Sequence, residues 1–307
     1  MFLVALITIG MMLLYAVPGF LMVKSKLCVD DHISAFSKLL LFVCQPGLII
    51  YSMRQVPFSY DLAWNMLLVF LVVLVTGVGF MSLGLLLLKK KMKEDARFRI
   101  YNIASCMGNY GFMGVPILQA LLPNNPEAMA YSAVACVALN IMAWSAGSAI
   151  ISQDIRYVSP KKIFLNPTVI SFLVAIPLFV FNVSFPTQLE DAIFIFAKMS
   201  TPLSMIIMGM RLALTPFKEV FGDWKQYLVI AVKQLAYPLL ILLLLLPFSI
   251  DPTVKTSIFI LMSCPVASVV LNFSELLHEG EKTAASLVLL GTSLSALTIP
   301  LLCLFIS

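Results

Sequence analysis

Charge is what this sequence has least of. Asp, Glu, Lys and Arg make up 11% of its 307 residues, against about 25% in a soluble protein. Apolar residues fill 61% of the chain, and its mean hydropathy is +1.01. A water-exposed surface cannot be built from that material. A soluble enzyme, a disordered chain and a nucleic-acid module are therefore excluded. Only two histidines occur, His32 and His278, both between apolar runs. No catalytic triad, metal cluster or phosphate-binding glycine loop is present. An enzyme would need such groups, so neither cofactor nor metal is expected. The six cysteines (Cys28, Cys44, Cys106, Cys136, Cys264 and Cys303) form no Cys-x-x-Cys pair and read as reduced packing residues. The N-terminus also lacks the basic lead of a signal peptide, and its apolar run is too long for one, so it reads as a first span.

What the chain does have is apolar runs long enough to cross a bilayer, which takes about 20 residues. They fall at 2–23, 33–53, 62–88, 98–122, 126–150, 166–184, 189–211, 226–249, 253–275 and 283–306. Ten spans leave only short loops and no soluble domain. Pro46, Pro116, Pro202 and Pro265 lie inside the second, fourth, seventh and ninth runs. Proline removes one helical hydrogen bond and clashes with the preceding turn. In lipid such a break survives only against protein or a wet cavity.

Lysine and arginine orient the spans. With the N-terminus outside, inward loops hold Lys24, Lys26, Lys89, Lys90, Lys91, Lys93, Arg97, Arg99, Arg156, Lys161, Lys162, Arg211, Lys218, Lys225 and Lys282, and outward loops hold Arg54 and Lys255. This asymmetry predicts both termini outside.

The second span reads Gln45-Pro46-Gly47-Leu48-Ile49-Ile50-Tyr51-Ser52-Met53-Arg54 before Pro57-Phe58. The seventh reads Thr201-Pro202-Leu203-Ser204-Met205-Ile206-Ile207-Met208-Gly209-Met210-Arg211 before Pro216-Phe217. Proline, Ile-Ile, Met-Arg and Pro-Phe recur in order, five spans apart. The prolines of the fourth and ninth spans are also five apart. Residues 1–152 and 163–307 therefore read as two five-helix copies joined by a short cytoplasmic linker, 153–162. Five is odd, so the copies are inverted. Inverted repeats with interrupted helices point to a secondary transporter. The fold class expected is an all-α membrane protein of ten helices, with helices 4 and 9 broken and crossing.

The candidate site lies at those breaks. Gly108, Gly111 and Gly114 recur every third residue around Asn109 and Tyr110, then Pro116 follows. Glycine costs about 1 kcal/mol and proline about 3 in a helix interior. Freed backbone groups near mid-bilayer, with the Asn109 side chain, can replace water around a solute, and a half-helix amide end suits an anion. Glycines packed for close helix approach are the alternative. Ser263-Cys264-Pro265-Val266-Ala267-Ser268 in the ninth span is the partner break. Asn140 reads as a site residue or as glue between helices. Lys233 and Lys198 lie within spans and could balance an anion or snorkel. Glu275 could bind an ion if buried, or mark an inner helix end beside His278, Glu279 and Glu281.

The string Gly108-Asn109-Tyr110-Gly111-Phe112-Met113-Gly114-Val115-Pro116-Ile117-Leu118 resembles the fourth-span crossover of the auxin efflux carrier family, which includes plant auxin carriers and bacterial malate or malonate permeases. Asn166-Pro167-Thr168, Lys233 with Pro238, Pro265, and Thr292-Ser293-Leu294-Ser295-Ala296-Leu297-Thr298-Ile299-Pro300 resemble its other signatures. The resemblance covers essentially the whole chain. It implies an often dimeric carrier of small organic anions in the cell (inner) membrane, working by elevator-type alternating access. The crossover asparagine that holds the substrate carboxylate in plant carriers matches Asn109. The substrate site implied here is Asn109, Tyr110, Gly111, Gly114, Pro116, Asn140, Pro265, Val266, Ser268 and Lys233. The long cytoplasmic loop of many plant members is absent, so the compact form resembles the bacterial permeases. Related bile-acid symporters bind sodium through acidic residues near the crossover. No acidic residue here is central enough to support that coupling. A sodium-coupled organic-anion symporter is nevertheless one alternative. A membrane metabolite receptor that moves nothing is another, although it would usually carry a signalling domain.

Overall fold

The structure, a computed structural model, describes residues 1–306. Eight helices are long and apolar enough to cross a membrane: α1 (Phe2–Lys24), α2 (Asp30–Met53), α3 (Tyr60–Glu94), α6 (Glu127–Ser152), α7 (Ile155–Val180), α8 (Thr187–Leu214), α9 (Trp224–Leu245) and α12 (Glu281–Phe305). The other two apolar runs are each split into shorter helices. The first split gives α4 (Ala96–Ala104) and α5 (Tyr110–Leu121). The second gives α10 (Pro252–Ser263) and α11 (Ser268–Leu277). No β-strand forms among the described residues; a lone antiparallel bridge pairs Gly108 with Val266.

Side chains at the helix starts explain several boundaries. Ser59, Asp95, Asp223 and Asp251 each accept from a backbone amide in the first turn of the helix they precede, and Asn166 does the same inside α7 for the regular stretch Pro167–Val180. Such caps satisfy amides that have no partner within the helix. Inside the spans, three π-helical turns end two residues before a proline. They are Leu40–Cys44 before Pro46, Tyr110–Gly114 before Pro116, and Val232–Ala236 before Pro238. Widening the turn relieves the clash between the proline ring and the carbonyl four residues back. Helix α8 runs on through Pro202.

The breaks do not fall on the prolines of the sequence motif alone. The first spans 105–109, upstream of Pro116, which sits in the first turn of the regular helix that follows the π-turn. The second spans 264–267 and includes Pro265.

Packing sorts the helices into two sets. Helix α8 lies against α1 and α2, and α7 lies against α2. In the other set α3 packs on α6 and α4, α9 on α10 and α12, and α11 on α12. Contacts of α1 with α12 and of α7 with α6 join the two. The α1–α8 contact is backbone to backbone: a Cβ added at Gly209 would lie 1.8 Å from the Ala16 carbonyl oxygen, and one at Gly19 would lie 2.0 Å from that of Ile206. Only glycine admits this approach, as in other close helix pairs within membranes.

Candidate functional site

The two breaks are tied to each other. The Asn109 amide donates to the Pro265 carbonyl at 2.8 Å, and the Ala267 amide donates to the Met107 carbonyl at 3.0 Å. Two short extended segments thus satisfy one another where neither could complete a helix. Beyond them, α5 and α11 each start with their amide ends at the crossing. The Gly111, Phe112, Ser268 and Val269 amides have no backbone partner among the described residues, as expected for the first turn of a helix.

A small cavity opens onto those amide ends. Tyr110, Gly111 and Phe112 line it from α5; Ala267, Ser268 and Val269 line it from α11. A larger adjoining cavity shares Asn109, Phe112, Ser268 and Asn272, and is also lined by Arg211. Asn109 is buried, with 7% of its surface exposed, yet its side-chain amide finds no hydrogen-bond partner among the described residues. Gln45 is buried to the same degree on α2, faces the smaller cavity, and is also without a partner. Asn140 donates to the Cys136 carbonyl at 2.9 Å, which leaves its side-chain oxygen for the cavity it lines. Buried polar groups are nearly always paired. Around this space Asn109, Gln45 and the Asn140 oxygen keep hydrogen-bonding capacity that the protein does not use.

The residues expected from the sequence therefore divide. Asn109, Tyr110, Gly111, Asn140 and Ser268 line the smaller cavity. Pro265 and Val266 stand behind it and hold the crossing together. Gly114 packs against Leu261, where an added Cβ would lie 2.8 Å from a methyl. Pro116 shapes the start of α5's regular part. The Tyr110 hydroxyl is turned away from the cavity toward the Cys106 carbonyl, 3.3 Å off, and Ser132 donates to the Tyr110 carbonyl at 2.6 Å. Lys233 is fully buried but lines neither cavity. Lys198 is exposed and lies over the Phe194 ring, 4.3 Å from its centroid. Glu275 is half-buried and forms an ion pair with Arg211.

Gln45, Asn272 and Arg211 are among the cavity residues that the sequence does not single out for this role. Gln45 and Asn272 are lone polar residues in apolar runs, the signal that could have found them. In the sequence Arg211 reads as an inward charge and as part of the repeated Met-Arg pair. It is the one cationic residue on the walls of either cavity among the described residues. Helix α8 also reaches the crossing directly, through the Thr201 hydroxyl, which donates to the Phe112 carbonyl at 2.8 Å.

Comparison with known proteins agrees with this architecture. The family described as "Membrane transport protein" matches over residues 4–157 and 152–303. A protein of Rhizobium meliloti (strain 1021) named "Putative malonate transporter" is 24% identical over 227 residues, covering 71% of this chain and 69% of its own. The chain therefore belongs to the membrane transport protein family, the auxin efflux carrier family that its crossover string resembles.

Proposed function

We propose that the protein is a secondary carrier of small carboxylates that binds its substrate at the crossing of the two broken helices. One observation carries the reading. Two helix amide ends and the unpartnered, buried Asn109 amide converge on the same cavity. Amide ends carry about half a positive charge each and stabilise anions. The Asn109 side chain offers two further donors. Arg211, on the wall of the larger cavity, adds a guanidinium whose charge Glu275 partly offsets.

The proposed architecture is ten spans in two inverted repeats with both termini outside. It is supported by contacts that recur when each span is exchanged for the one five places on. The α1–α8 pair corresponds to α7–α2, α3–α6 to α9–α12, α3–α4 to α9–α10, and α1–α12 to α7–α6. In this reading α1, α2, α7 and α8 form a scaffold, and the remaining helices carry the site across the membrane as one unit.

The relative's printed name makes malonate the first substrate to try. Titration calorimetry on the detergent-purified protein tests the reading. Malonate, malate or succinate should bind the wild type and bind Asn109→Ala at least about tenfold more weakly, the scale of a lost hydrogen bond to a charged group. Equal affinity in the two proteins removes Asn109 from the site.

A further inference from the structure

Lys233 is a buried charge that the anion site does not use. It sits on α9 in the π-helical turn Val232–Ala236 and is fully buried. Its ammonium donates to the Met262 carbonyl at 2.6 Å and lies 5.4 Å from the centroid of the Tyr237 ring. No carboxylate pairs with it among the described residues. A buried ion costs several kcal/mol unless opposite charge meets it.

Here the opposite charge is the carbonyl end of α10. The last carbonyls of a helix lack partners and together amount to about half a negative charge. At this end the Ser263 hydroxyl takes the Phe259 carbonyl, the Cys264 amide takes that of Leu261, and Lys233 takes that of Met262. Pro265 brings no N–H. The matching end of α4 is closed by its own turn: the Ser105 hydroxyl donates to Asn102, and the Cys106 and Met107 amides donate to Ile103. The crossing thus has two carbonyl ends, and among the described residues only the α10 end receives a cation.

We infer that Lys233 is a positioning residue, a tethered cation that neutralises the carbonyl end of α10 and fixes the second break. With that end neutralised, the amide ends of α5 and α11 face the cavity without a competing negative pole. The carrier then needs no free cation to assemble its anion site. This rests on reading the cavity as a carboxylate site.

The test is exchange of labelled malonate in proteoliposomes, in sodium, potassium and choline buffers. Wild type should exchange at the same rate in all three. Lys233→Met, similar in length and uncharged, should slow exchange by about tenfold or more, the scale of a lost charge-assisted bond. Lys233→Ala should be equally slow, and n-butylammonium should restore it where n-butanol, which fills the same space, does not. A sodium requirement in wild type, wild-type exchange by Lys233→Met, or equal rescue by butanol overturns the inference. If neither variant folds, the wild-type buffer comparison decides by itself: sodium dependence overturns the inference and its absence supports it. A wild type that exchanges no carboxylate in any buffer sinks the proposed function, whereas normal exchange with an indifferent Lys233 sinks only this inference.

Discussion

Asn109 is the residue on which the proposed site turns. Its side chain borders the cavity and makes no hydrogen bond to the protein, so the empty protein gains little from it. Asn109→Ala should therefore leave the melting temperature of ligand-free protein unchanged or slightly raised, while the stabilisation that malonate gives the wild type disappears. Thermal unfolding with and without malonate checks both halves. Arg211 works differently, because Glu275 already holds it. Arg211→Gln should weaken malonate binding several-fold and flatten its dependence on salt, since a charge at the cavity rim is screened by ions; titrations at two salt concentrations measure this. Asn109 was legible in the sequence because glycine and proline surround it. Gln45 and Asn272 were not, because nothing in their flanking residues tells a cavity-facing amide from one bonded to a neighbouring helix. Lys233 was legible as an important buried charge but not by destination: its side chain reaches the back of the crossing, which only the packing of α9 on α10 decides.

Among the elements, hydropathy located every long helix, and the residual errors lie at the ends. Helix α3 runs on to Glu94, because three lysines in a row are good helix formers and extend it past the apolar stretch. The breaks were legible as regions but not as positions. The first falls at 105–109 because Pro116 is accommodated by a π-turn instead of ending the helix. The α1–α8 contact gives a sharp test. Gly209→Leu must push the helices apart, since even a Cβ there meets the Ala16 carbonyl. We expect a melting temperature several degrees lower than wild type in detergent. Outside the membrane, Asp95 caps α4, and the hydrogen bonds from Arg97 hold its carboxyl below the usual aspartate range. A carboxyl lowered on folding stabilises the protein above its unfolded pKa, and that contribution fades as pH falls through the folded value. Asp95→Asn should therefore lose part of the stability at pH 7 and show a shallower loss than wild type on acidification, read by thermal scans across pH.

At the level of the whole molecule, composition alone excluded a soluble protein, and loop charges gave an orientation. The way the two proposed halves interlock is less legible, because it depends on which helices touch one another. The Arg211–Glu275 pair joins α8, in the proposed scaffold, to α11, in the proposed moving unit. In a background without the six native cysteines, Arg211→Cys and Glu275→Cys joined by a short bis-maleimide should stop transport. Reversing the tether with a cleavable bis-maleimide should restore the transport that the uncross-linked double variant shows. Equal transport after cross-linking would mean that these helices do not move apart.

The most direct measurement is counterflow of labelled malonate into proteoliposomes preloaded with unlabelled malonate, comparing wild type, Asn109→Ala and empty vesicles. The account predicts transient accumulation with wild type and none with Asn109→Ala reconstituted to the same level. Accumulation by Asn109→Ala equal to wild type would contradict it.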